Sequence, residues 1–403
     1  MSAASADLSR RDVLRQALAL SLGAAVSLGL ARFAYALLLG PMRADLGWSY
    51  LTAGAMNTGN AAGYLLGALL MPRAIARFGP RAALVGGGLA TALLLALHGA
   101  VGSDTGLALL RLLSGAASAA TFVAGGLLAA RLGSLAAGQV APGLVLGLYY
   151  GGTGLGIVVS ALLVPACLGL GGGSLRDWQP AWIALGAVAL GMTWLMRRVI
   201  GAGTGADAPM VAGAAVTREP VPWSRLGFAL AGYCCFGLGY IGYMTFIVTL
   251  LREQQLGSAV ITAFYVTLGL GVVASSWLWA GLLQRWRGGG SMALLNALLA
   301  LATALPVLSA APVAVFASGA LFGAVFLSVV ASTTALVRHN LPSAAWPGGI
   351  TGFTIVFALG QIAGPSAVGL IADGPGGLAR GLAASAVMLA LGALLATRQR
   401  PLG

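Results

Sequence analysis

The chain is 403 residues long, 59% hydrophobic and only 8% charged, where a soluble domain carries about 25% charged residues. With a mean hydropathy of +0.94, this excludes a soluble globular domain and reads as an integral membrane protein. A net charge of +13 would suggest nucleic acid in a soluble protein, but here its placement in loops indicates membrane topology, and no nucleic-acid partner is expected.

Breaking the chain at its charged, Pro-rich and Gly-rich interruptions leaves twelve apolar segments, each near the roughly 20 residues that cross a bilayer as a helix. The predicted spans are 14–40, 50–71, 82–101, 106–130, 140–167 and 181–196, then 226–251, 259–283, 291–308, 312–337, 345–371 and 378–396. Ahead of the first lies Ser9-Arg10-Arg11-Asp12-Val13-Leu14-Arg15, which is similar to a twin-arginine export signal. The apolar run behind it is too long for a cleaved signal, so these arginines are expected to hold the helix end at the membrane face.

The first span carries Arg32 with no acidic residue within helical reach. A guanidinium near the centre of a membrane helix costs roughly 2.5 to 3.5 kcal/mol on insertion scales, so it is expected to face a bundle interior or a watery cavity. The second span carries Asn60, the fourth Arg111, the fifth Thr153, the seventh Tyr240 and Tyr243, and the eleventh Gln361. Gly152-Thr-Gly-Leu-Gly156 has the look of a dinucleotide loop but lies mid-span with no strand before it. Cys167, Cys234 and Cys235 sit in apolar segments and read as packing residues. No disulfide framework, metal or cofactor is expected.

The stretch 201–222 (GAGTGADAPMVAGAAVTREPVP) is the one long polar, Gly- and Pro-rich interruption and reads as a cytoplasmic linker between six-span bundles at 1–200 and 223–403. With both termini cytoplasmic, sixteen arginines fall inside and three (Arg43, Arg176, Arg252) outside, each of the three within two residues of an acid. That asymmetry fits the positive-inside rule. Shifting the first half by 208 residues lays Gly29-Leu30 on Gly237-Leu238, Tyr35 on Tyr243, Gly63 on Gly271, Gly115-Ala116 on Gly323-Ala324, Gly152 on Gly360 and Gly156 on Gly364. One offset across several helices indicates internal duplication, and six spans per copy make the repeats parallel. Most of these glycines, at small-xxx-small spacing, are expected to bring helix backbones together.

Several segments resemble the YbfB/YjiJ-like branch of the major facilitator superfamily, over nearly the whole chain. They are Gly29-Leu-Ala-Arg-Phe-Ala-Tyr35, Asn60-Ala-Ala-Gly-Tyr-Leu-Leu-Gly-Ala68, Arg111-Leu-Leu-Ser-Gly-Ala-Ala-Ser-Ala119, Gly152-Thr-Gly-Leu-Gly-Ile157, Phe236-Gly-Leu-Gly-Tyr240 and Gly360-Gln-Ile-Ala-Gly-Pro365. The superfamily's loop between spans two and three carries an acid before its basic residues; here Arg77-Phe-Gly-Pro-Arg81 keeps the basic part, with Ala76 in the acid's place. The resemblance implies an all-α membrane fold of twelve helices in two parallel six-helix repeats, acting as a secondary transporter at the cell's inner (plasma) membrane. It also implies that the first, fourth, seventh and tenth helices line the central path.

By depth, Arg32 and Arg111 fall in the outer half of the membrane and could share a cavity, with Arg32 opposite Tyr240 in the repeat. Tyr35 follows Arg32, and Tyr243 follows Tyr240, by three residues, which in an α-helix shares a face. One reading has Arg32 bind the anionic group of a small organic substrate, with Tyr35, Tyr240 and Tyr243 around it. Another has Arg32 and Arg111 only donate to carbonyls and hydroxyls and fix helix packing, the favoured one for Arg111. Asn60, Thr153 and Gln361 are candidate contacts or interhelical hydrogen-bond partners. Arg380, at the outer end of the last span, is expected to snorkel to the surface. None of the nine acids lies mid-span, so no buried proton-carrying carboxylate is evident, although Asp45 or Asp373 could dip inward, and His98 and His339 are poor relays. A polytopic enzyme would need nucleophile, base or metal ligands at one depth, and a receptor or scaffold would need no polar seam between the halves. A monomer is expected.

Overall fold

The computed structural model describes residues 9–170, 176–200 and 219–402, so 201–218 of the expected linker lies outside the described residues. Long helices follow in chain order: α1 (Arg10–Leu46), α2 (Tyr50–Phe78), α3 (Pro80–His98), α4 (Asp104–Leu135), α5 (Pro142–Leu170), α6 (Trp178–Val199) and α7 (Gly227–Glu253). Next come α8 (Ser258–Leu278, with a short extension at Ala280–Arg285), α9 (Gly290–Leu308), α10 (Pro312–Asn340), α11 (Trp346–Ala372) and α12 (Gly377–Thr397). Among the described residues, eleven spans are long and apolar enough to cross a membrane. The remaining helix, α2, has 29 residues, but Thr52, Asn57, Thr58, Asn60, Arg73 and Arg77 dilute its apolarity.

Several helices outrun the predicted spans because their ends continue beyond the apolar stretch and are capped. Ser9 accepts from the Asp12 N–H, Ser49 from Thr52 and Ser103 from Gly106, each satisfying a donor that the first helical turn leaves free. Gly47 closes α1 with φ +65°, a left-handed conformation that glycine adopts at little cost.

The α1 and α7 helices are the centre of the bundle: 94% and 89% of their apolar windows are buried, against 39–50% for the other spans. Exposed leucines on α3, α6, α9 and α12, such as Leu93, Leu190, Leu301 and Leu394, form the belt that lipid tails would cover. Glycine seams hold the rest together. A Cβ at Gly63 would run into the Leu112 carbonyl of α4, and one at Gly115 into the Asn60 carbonyl of α2. At the equivalent positions of the second repeat, Gly271 abuts Ala320 of α10 and Gly323 the Leu268 carbonyl of α8. Since 112 and 60 map onto 320 and 268 at the offset of 208, this helix pair packs in the same register in both copies.

The central helices break that symmetry. Gly29 of α1 meets Gly156 of α5, whereas Gly237 of α7, its equivalent, meets Gly360 of α11, which corresponds to Gly152 and lies one turn earlier. The cause is visible in α1, which is π-helical over Ala25–Phe33, with the Ala34 N–H donating to the carbonyl of Gly29 at 3.0 Å. An i→i+5 turn holds more residues than an α-turn and shifts the phase of everything after it; α7 has no such stretch.

Candidate functional site

The two sets of six helices meet along α2 against α11 and α5 against α8. The hydrogen bonds that cross this seam gather in the part of the bundle remote from the termini, hereafter the far end. There the Asp373 carboxylate at the end of α11 accepts from the backbone N–H groups of Tyr50 (2.7 Å) and Leu51 (2.9 Å), the first two residues of α2. The Tyr50 hydroxyl bonds Glu253 of α7, and Arg43 lies 3.8 Å over the Tyr50 ring. Arg252 Nη2 donates to the Leu37 carbonyl at 3.1 Å. Asp45 is held by the Trp178 indole at 2.8 Å, so neither Asp45 nor Asp373 reaches inward.

One level deeper, Asn57 Nδ2 donates to Thr245 Oγ1 (2.7 Å), the Thr58 hydroxyl donates to the Ile362 carbonyl (2.6 Å), and Tyr265 donates to the Phe33 carbonyl (2.7 Å). At this level Arg32 donates through Nη2 to Gln361 Oε1. Toward the termini the seam is held by backbone packing of α5 on α8, with Gly154 against the Gly269 carbonyl and Gly147 against the Trp277 indole.

Arg32 is 4% exposed. Its Nε is buried without a hydrogen-bond partner, and among the described residues no carboxylate pairs with it. Its guanidinium lies 5.7 Å from the Tyr64 ring centroid, and its charge also reaches Tyr240. The Tyr64 and Tyr240 hydroxyls hydrogen-bond no other described residue. Arg32, Tyr64, Tyr240 and Gln361 therefore assemble from α1, α2, α7 and α11 a cluster rich in donors and carrying one unneutralised guanidinium.

Arg111 is handled in the opposite way. Nε donates to the Met56 carbonyl (3.4 Å), Nη1 to the Ala31 carbonyl (3.1 Å) and Nη2 to Asn57 Oδ1 (2.9 Å), with the Tyr35 ring 4.5 Å away. Asn60 completes this cage by donating to the Arg111 carbonyl at 3.1 Å. Tyr35 spends its hydroxyl on the Ala53 carbonyl at 2.9 Å, and Tyr243 shares a 2.7 Å bond with Ser318 while stacking on Phe322 at 3.9 Å. Thr153, the repeat equivalent of Gln361, is fully buried with its hydroxyl unpartnered. Of the eight sequence candidates, the structure thus joins Arg32, Tyr240 and Gln361; Tyr35, Asn60 and Arg111 form a separate cage, and Tyr243 and Thr153 lie apart. The face expected to hold both Arg32 and Tyr35 is not shared because the π-helical turns intervene.

Sequence reasoning missed Tyr64 and Asn57. Asn57, Asn60 and Tyr64 follow one another at spacings of three and four on α2, a polar stripe that was there to be read. Among the described residues, no cluster of His, Cys, Asp or Glu could hold a metal.

A profile of the family described as "Uncharacterised MFS-type transporter YbfB" matches residues 24–397. No curated protein matches the chain. Among solved structures, a point mutant of the nucleoside transporter NupG is similar at a TM-score of 0.75 and 12% identity, covering 95% of this chain and 98% of its own. A bacterial homologue of the human lysosomal transporter Spinster, inward-facing and unoccupied, is similar at 0.69 and 14% identity, covering 97% of each chain. At such identities the likeness is one of fold.

Proposed function

Because the chain belongs to the YbfB family of MFS-type transporters, we propose that it carries a small organic solute with an anionic group across the membrane by alternating access, binding that group at Arg32. The observation that carries this reading is the Arg32 guanidinium, buried on the seam with one neutral partner and an idle Nε. A charge so placed is expensive, and a carboxylate from the substrate supplies the missing partner through charge-assisted bonds. Binding would draw Arg32 away from Gln361 and so loosen one bond between the halves, coupling occupancy to rearrangement. Tyr64 and Tyr240 would donate to the same group. Arg111, each of whose three nitrogens donates to another helix, would position helices.

In this reading residues 1–200 and 223–403 are the two moving bundles joined by the 201–222 linker. The protein works as a monomer in the inner membrane with both termini cytoplasmic, so the sealed far end faces outward. A receptor or scaffold would have no use for an unneutralised cation at its mobile seam, and the site offers no nucleophile and base for an enzyme. Counterflow in proteoliposomes, which needs neither a coupling ion nor a known direction, tests the reading. Labelled organic acids should exchange, their neutral amides should not, and Arg32→Ala should abolish exchange. Equal exchange of acids and amides, unaffected by Arg32→Ala, would refute it.

A further inference from the structure

The site's chemistry can be narrowed, on the premise that Arg32 is the anion contact. Starting at the Arg32–Gln361 bond, two adjoining helices of the second half carry aromatic rings toward the termini at helical spacing. On α7 these are Tyr240, Phe236 and Tyr233; on α11, below Gln361, they are Phe357 and Phe353. Apart from Phe353, which meets Tyr233 edge-on at 65°, their planes are nearly aligned. Tyr240 lies 4.8 Å from Phe236 at 18° and 5.6 Å from Phe357 at 19°, Phe236 lies 5.4 Å from Phe357 at 8°, and Tyr233 lies 5.0 Å from Phe357 at 19°. Phe326 of α10 continues the set, 6.0 Å from Tyr240 at 9°. Edge-to-face pairs are as favourable as offset stacks, so packing alone does not require this run of parallel faces. Phe357, in its middle, is only partly buried.

From these observations we infer that the substrate class is an arylcarboxylate, a flat aromatic body bearing one carboxylate. The carboxylate takes Arg32 with hydroxyl and amide donors beside it, and the ring joins the stack of α7 and α11. Other classes leave groups unmatched. An amino acid or amine would need an acceptor for its ammonium, and the cluster holds no carboxylate. A dicarboxylate would need a second free cation, and Arg111 is tied into its own cage through all three of its nitrogens. A sugar would offer many hydroxyls to a wall of ring faces.

The test is counterflow of labelled benzoate, with benzoate, cinnamate, cyclohexanecarboxylate and benzamide as competitors, in wild type, Arg32→Ala, Phe357→Leu and Phe357→Tyr. The aromatic acids should compete better than cyclohexanecarboxylate by roughly two- to tenfold, the range of an added stacking interaction. Phe357→Leu should bring them level, Phe357→Tyr should restore the preference, and Arg32→Ala should lose all the acids. Should Phe357→Leu fail to fold, the wild-type ratio alone decides. Cyclohexanecarboxylate matching benzoate in wild type, with both lost in Arg32→Ala, would overturn the aromatic inference and leave the anion reading standing. Exchange that survives Arg32→Ala, or no benzoate exchange at all, would overturn the inference, and the former would take the anion reading with it.

Discussion

The far-end seal is the clearest place to perturb the balance between the two halves. At the start of α2 the first free N–H groups are satisfied from two sources: Ser49 of the same half takes Thr52, while Asp373 of the other half takes Tyr50 and Leu51. Asp373 therefore acts as a helix cap that exists only while the far end is closed. Losing a cap costs about 1 kcal/mol, and losing a charge at an exposed helix N-terminus costs about 0.4 kcal/mol more. Asp373→Ala should thus shift the closed-to-open ratio by about 1.4 kcal/mol, about tenfold. Asp373→Asn, which keeps one of the two acceptors and no charge, should shift it in the same direction by less than Asp373→Ala. The assay is the distance between probes on α2 and α11 near the far end, in a background with the three native cysteines replaced. Ser49→Ala is the control, because its lost bond lies within one half and is the same in either state. An unchanged distance distribution in Asp373→Ala, or one that moves equally in Ser49→Ala, would refute the inter-half cap.

The two buried arginines should respond oppositely to truncation. Arg111→Ala leaves the Met56 and Ala31 carbonyls and Asn57 without their donor and should lower stability by about 3 kcal/mol; Arg32→Ala removes a poorly matched charge and should leave stability unchanged or raised while counterflow is lost. Chemical denaturation in detergent separates the cases. Thr245→Val deletes the acceptor for Asn57 across the seam and should favour the open far end by about fivefold, the equivalent of one net hydrogen bond, read with the same distance probes. Gly63→Ala drives a Cβ into the Leu112 backbone and should cost about 1 to 3 kcal/mol, whereas Gly86→Ala, with open space at that position, should be tolerated; folded yield and melting temperature compare them.

The twelve spans and their duplication were legible because both rest on local signals, the apolar run and the recurrence of glycine at one offset. The helix ends were less so, since Ser9 and Ser103 let helices start ahead of the apolar core that hydropathy detects, although the start of α2 at Tyr50 was read correctly. Arg32 and Gln361 could each be picked out as polar residues in apolar spans. That they bond each other could not, because the pairing depends on how α1 and α11 register across 329 residues of sequence. The π-helical stretch Ala25–Phe33 carries no proline to mark it, yet it turns Tyr35 toward Arg111 and away from the Arg32 cluster. Asp373 was recognisable as a loop-end acid, but its role needs the start of α2 beside it.

Duplication also explains why one seam can have two unlike sides. At the offset of 208, Arg32 corresponds to Tyr240 and Arg111 to Gly319, so both buried guanidinium groups of this level belong to the first copy. In the second copy the space that Arg111 and Tyr35 share in the first is filled by Tyr243 stacked on Phe322 and bonded to Ser318, and the aromatic strip of α7 and α11 runs beneath. A perfectly symmetric pair would present two charges or two ring walls and would hold a small molecule equally well in either orientation. Divergence of the copies, together with the one-turn difference in register between α1 on α5 and α7 on α11, sets a charged side against an aromatic one. On the proposed reading, a solute with one charged end and one flat apolar end would span the seam in a single orientation and touch both halves at once, so that its occupancy would bias their relative motion.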